Sequence, residues 1–119
     1  GLAPDDSYVE NEYAYLLFRK ALENVSSVNA LELVADATQL LEANIARKGA
    51  VDAHPYHILG SQGLAWARRG LQKFEEKRSY LDGLVKMLDN GTSKHPTNKD
   101  LKSLRDAVYD TYLNLALRA

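Results

Sequence analysis

All three prolines of this chain, Pro4, Pro55 and Pro96, stand where a helix would begin, and none interrupts a periodic apolar stretch. Proline has no amide hydrogen and a fixed φ, so a helix accepts it in the first turn and rejects it in the interior. Between the prolines, apolar residues recur at spacings of three and four. No segment of four to eight residues alternates apolar and polar between turn residues, as a half-buried strand would. The chain is therefore expected to be all-α.

A chain of 119 residues buries roughly two-thirds of its unfolded surface, enough for one continuous core, so one helical domain over 1–119 is expected. Apolar residues at 45% and charged residues at 26% place it among globular chains rather than disordered ones. With 15 basic and 16 acidic residues the net charge is −1, which supplies no field to steer the chain onto nucleic acid or an anionic membrane, and neither partner is expected. The absence of cysteine excludes disulfides, thiolate catalysis and iron–sulfur clusters, and it is compatible with a reducing compartment; cytoplasm is the expected location. No apolar run approaches the ~18 residues of a membrane span, and Gly1 to Asp6 do not read as a signal peptide. Because the chain opens on Gly1 rather than Met, it is expected to be a segment of a longer protein.

Five helices are predicted. The first runs from Ser7 to Val25, with Ser7 and Glu10 at capping-box spacing and Asp5 and Asp6 adding favourable charge. Val9, Tyr13, Leu16, Leu17 and Ala21 make one apolar stripe on it, and Tyr15, Phe18, Leu22 and Val25 a second, so it is expected to contact neighbours on two sides. Asn29 is the expected cap of a second helix, 29–48, with the stripe Ala30, Val34, Ala37, Leu41 and Ile45; its many alanines predict a packed, central helix that ends at Gly49. Pro55 opens a third helix, 55–69, carrying Leu59, Gly63, Trp66 and Ala67, and Arg68, Arg69 and Gly70 read as its end, with the glycine free to take φ > 0. A fourth, 72–89, turns Leu81, Leu84, Val85 and Leu88 inward and stops at Asn90-Gly91; the rival is one unbroken helix from Pro55 to Asn90. Thr97 and Asp100 cap the last, 98–117, which bears Leu101, Leu104, Val108, Tyr112 and Leu115.

The helices pair as antiparallel α-hairpins. A glycine, a short polar linker and then His-Pro recur at His54-Pro55 and His95-Pro96, 41 residues apart, as an internal repeat would have it. Leu59-Gly60 after His54-Pro55, and the stretch from His95 through Pro96, Thr97, Asn98, Lys99 and Asp100 to Leu101, resemble the helix starts of tetratricopeptide-type repeats in large bacterial multidomain proteins. The resemblance covers residues 50 to 119; Gly63 stands where that family usually has an aromatic residue and Gln72 where it has a small one. It implies a fragment of a right-handed solenoid, or else a helical bundle, that binds a protein or peptide while any enzymatic part lies elsewhere.

The candidates for chemistry are few. Asp52, His54 and His57 form an Asp-x-His-x-x-His cluster, which a metal ion could use, although a polar residue before a helix ordinarily caps backbone amides. Arg47 and His54 stand in an Arg-x6-His arrangement resembling the ribonuclease motif of HEPN-type helical domains, in which His would move a proton at a 2′-hydroxyl and Arg would stabilise phosphate charge. A helix-end Arg and a linker His are the plainer account of the same pair. Arg68, Arg69, Lys73, Lys77 and Arg78, diluted by Glu75 and Glu76, read as solvated helix surface. Gly60, Gly63 and Gly70 follow no strand and make no phosphate loop; close helix packing around Trp66 accounts for them.

The expected function is thus a non-catalytic interaction or scaffold module with no cofactor, no catalytic residue and no metal. Its partners are a protein or peptide, flanking domains of the same chain, or a second copy. Tyr8, Tyr15, Phe18 and Trp66 are the candidate interaction residues, since aromatics left exposed together on one face mark partner sites. The alternative is a HEPN-like RNase using Arg47 and His54.

Overall fold

The computed structural model describes residues 6–118. It is all-helical: α1 Asp6–Glu23, α2 Ala30–Lys48, α3 His54–Arg69, α4 Phe74–Lys94 and α5 Lys99–Arg118. Linkers of a few residues fold each helix back on the one before it, the expected route to α-hairpins. Pro4, Asp5 and the side chain of Asp6 lie outside the described residues.

The contacts arrange these helices in two rows. One row is α1, α3 and α5, in which α3 touches both others; α2 packs on α1 and α3, and α4 on α3 and α5. Among the described residues the backbones of α1 and α2 do not come close to those of α4 or α5. The extents of 51 × 35 × 18 Å agree, because two helix layers span about 13–15 Å between Cα atoms and a third would exceed 20 Å.

The central helix is therefore α3, not α2 as the alanine content suggested. Ala35, Ala43 and Ala46 face solvent, whereas nine of the sixteen α3 residues are buried, among them Tyr56, Leu59, Leu64 and Trp66. Its glycines admit the neighbours: a β-carbon at Gly60 would come within 2.7 Å of Leu104 Cδ2, and one at Gly63 within 3.0 Å of Leu84 Cδ2. Close packing around Trp66 was the expected role of the glycines; Gly70 does lie against Trp66, whereas Gly60 and Gly63 admit side chains of α4 and α5.

Several caps differ from expectation. Ser7 lies inside α1, buried in its interface with α2, and Glu10 reaches across to Arg47 instead of back along its own helix. Asn29 is helical at φ −86°, ψ −12° and makes no side-chain cap. The cap of α5 is Asn98, whose Oδ1 accepts from the Leu101 amide at 2.9 Å, one residue beyond Thr97. The break at Gly70 occurs as expected, but its φ is −98°, so steric room and not left-handed backbone calls for glycine there.

Helix α4 does not stop at Asn90-Gly91 but continues to Lys94. Tyr56 holds that last turn: its hydroxyl accepts from Asn90 Nδ2 at 3.1 Å, and the Gly91 backbone lies against its ring. Pro96 then ends the helix through His95, which takes φ −126°, as the residue before proline must leave the α region. The two His-Pro pairs are used differently. His95 Nε2 lies 2.6 Å from the Gly49 carbonyl oxygen, tying two linkers together, while His54 is exposed.

Adjacent arginines on α3 join its flanks. Arg68 donates to Thr111 Oγ1 on α5 at 2.9 Å, and Arg69 to the Leu22 carbonyl at 2.7 Å, satisfying an orphan acceptor at the end of α1.

Candidate functional site

Positions 7 and 11 of α1 and 44 and 47 of α2 are one turn apart on facing surfaces, and all four residues are polar. Asn44 is buried and donates through Nδ2 to Asn11 Oδ1 at 2.7 Å and to the Ser7 carbonyl at 3.2 Å. Arg47 donates to Asn44 Oδ1 and pairs with Glu10 at 2.7 Å. Half-exposed as it is, that ion pair is worth at most about 1 kcal/mol; the buried amide pair does more to set the register of the hairpin.

His54 opens α3 beside this corner. Its amide donates to Asp52 Oδ1 at 3.0 Å, so the Asp52 carboxylate serves the helix start. The His54 ring faces Glu12, Nε2 to Oε1 being 3.6 Å. His57, one turn on, shares a shallow hollow of about 320 Å³ with His54, Glu12 and Tyr15. A second hollow, about 470 Å³, lies between Tyr8, Asn11, Lys48 and Asp52. Among the described residues no three His, Asp or Glu side chains are gathered so as to hold a metal ion. Arg47 and His54 engage different carboxylates of α1, Glu10 and Glu12, and not each other.

The aromatic candidates divide. Phe18 and Trp66 are core residues, 0% and 2% exposed; the buried face of α1 runs through Ser7, Asn11, Ala14, Phe18, Ala21 and Leu22, taking Phe18 and Leu22 from the second stripe read from the sequence and Ala21 from the first. Tyr8 and Tyr15 are exposed, each on one of the two hollows. Of the stripe Val9, Tyr13, Leu16, Leu17 and Ala21, Ala21 is buried and Leu17 packs against the core, whereas Val9, Tyr13 and Leu16 face solvent, with Tyr13 57% exposed. At the other end of the row Tyr109, Leu113 and Leu117 of α5 are exposed in the same way. A signal was present: α1 is apolar on more of its circumference than two neighbours can cover.

Among the described residues no helix is long and apolar enough to cross a membrane. No family model matches the chain, and no curated protein or solved structure matches it either.

Proposed function

We propose that this chain is a non-catalytic protein–protein interaction or scaffold module, made of tetratricopeptide-like α-hairpins and part of a larger protein. The observation that carries the reading is the pair of apolar faces at opposite ends of the helix row, Val9–Tyr13–Leu16 on α1 and Tyr109–Leu113–Leu117 on α5. In stacked arrays each hairpin covers the apolar face of the next, and an end face needs a cap or a partner. The contact order supports it, since α1 with α3 and α3 with α5 meet as the first helices of successive hairpins do. A contiguous apolar stripe is also what protein interfaces use. The partner is a protein or peptide, a flanking domain of the same chain, or a second copy. Nucleic acid and membrane are not partners, in keeping with a net charge of −1, and the cytoplasm is the compartment, in keeping with the absence of cysteine.

The test is site-specific photo-crosslinking. A benzophenone amino acid at position 13 is expected to form discrete adducts in the producing cell that vanish when Val9→Lys and Leu16→Glu are added. The same probe at position 83, exposed on α4, is expected to form none. Adducts that ignore the stripe substitutions would overturn the reading. So would cleavage of RNA by the purified chain that is lost in both Arg47→Ala and His54→Ala, which would establish the ribonuclease alternative.

A further inference from the structure

Because α2 and α4 both pack on α3 with their own backbones held apart, a groove opens between them. It holds about 690 Å³; Val34, Trp66, Leu71 and Tyr80 lie along it and Leu31 stands at its edge. Leu31 is 65% exposed, a large apolar side chain that the core leaves unused.

The groove is one-sided in charge. Glu75 and Glu76 line it, and no lysine or arginine does. Glu42 is close enough to raise the pKa of Tyr80. On the α2 side the sequence from Ala21 to Ala46 holds no lysine or arginine, in a chain whose charges otherwise nearly balance. Lys77 lies on the opposite flank of α4, beside Arg68 and Thr111. An apolar floor under an acidic rim is complementary to an apolar segment carrying lysine or arginine, because burying the apolar side chains brings the cations against the carboxylates.

We infer that the α2–α4 groove, floored by Trp66 and rimmed by Glu75 and Glu76, docks a basic amphipathic helix of a partner protein. The inference rests on the interaction-module reading and gives it a second surface, separate from the α1 stripe. The fit is of the helix-in-groove kind: an apolar face laid over Leu31, Val34 and Leu71, with cations at the rim.

The probe is a fluorescein-labelled amphipathic peptide of leucine and lysine, about five helical turns long, compared with its leucine–glutamate counterpart by anisotropy and by Trp66 emission. The lysine peptide is expected to bind the chain at least about tenfold more tightly than the glutamate peptide, with the difference shrinking as salt is raised. Glu75→Lys with Glu76→Lys is expected to abolish that preference, whereas Glu23→Lys with Asp110→Lys, the same change in net charge away from the groove, is expected to keep it. Leu31→Asp, at a position the core does not need, is expected to weaken binding and serves if the double lysine variant fails to fold. Equal affinity for the two peptides, or indifference to both groove variants, overturns the proposal. Absence of peptide binding with the position-13 adducts intact overturns the groove alone, and absence of both overturns the module reading as well.

Discussion

The backbone of Gly70 lies so close to the indole of Trp66 that a β-carbon at residue 70 would overlap Cε3 and Cζ3 of the ring. Trp66 is buried, and its ring must shift to admit a β-carbon at that distance. Gly70→Ala is therefore expected to destabilise the chain by about 1–3 kcal/mol despite the better helix propensity of alanine. Thermal unfolding followed by tryptophan emission measures it, and an unchanged midpoint with unchanged emission would show that the contact is unimportant.

Gly83 is the opposite case. It lies in the interior of α4 with nothing within 4 Å of where a β-carbon would go. Gly83→Ala is expected to stabilise by about 0.5–1 kcal/mol, chiefly by restricting the unfolded chain. A lowered denaturation midpoint in urea would contradict it.

Asn44 bridges Asn11 and the Ser7 carbonyl inside the first hairpin. Asn44→Ala leaves the Asn11 carbonyl oxygen buried without its donor and is expected to cost about 1–3 kcal/mol. Adding Asn11→Ala is expected to cost less than its effect alone, because the amide that lost its partner is then gone. Strict additivity in a double-mutant cycle would mean that the two amides do not act as a pair.

The buried hydroxyl of Tyr80 has no hydrogen-bond partner, and its pKa is raised well above the ordinary tyrosine value, first by desolvation and then by the charge of Glu42. The fold favours the neutral phenol, so its contribution is complete below the unfolded value of about 10 and is lost as pH rises above it. Tyr80→Phe is expected to leave stability at pH 7 unchanged or raised by about 1 kcal/mol, since an unsatisfied hydroxyl is removed. Its alkaline loss of stability above about pH 10 is expected to be shallower than that of the parent chain. Identical alkaline limbs in urea titrations would exclude Tyr80 as their source.

His95 ties the linker before α5 to the linker after α2 through the Gly49 carbonyl. His95→Ala is expected to cost about 1 kcal/mol and to speed amide exchange at Val51 and Asp52, whose amides close the turn after Lys48. Unchanged exchange there would show that the α2–α3 linker holds itself.

Amphipathic period, proline placement and glycine punctuation are local properties, and they were enough to place five helices and the break at Gly70. The misjudged end of α4 has a non-local cause. Asn90-Gly91 reads as a stop by composition, yet Tyr56, 34 residues earlier, supplies a hydrogen bond and a ring surface that carry the helix on. The cap at Asn29 failed on backbone conformation, since a capping residue is ordinarily extended and Asn29 is already helical.

The candidate surfaces were less legible. Trp66 and Phe18 were chosen for their chemistry, and packing buried both, while Val9, Tyr13 and Leu16 were assigned to a core that never reaches them. Periodicity shows that a helix has an apolar face but not how many neighbours will cover it. The groove between α2 and α4 has no counterpart in any local pattern, because it arises where two helix backbones are held apart.

From its sequence alone this chain is determined to be helical, with its breaks and most of its buried stripes, because backbone propensity and apolar spacing act within a few residues. Only the tertiary structure decided that α3 is the centre, that its glycines admit α4 and α5, and that α1 and α5 end the row with apolar faces uncovered. Which helix touches which depends on volumes meeting across dozens of residues, and no local spacing encodes that sum.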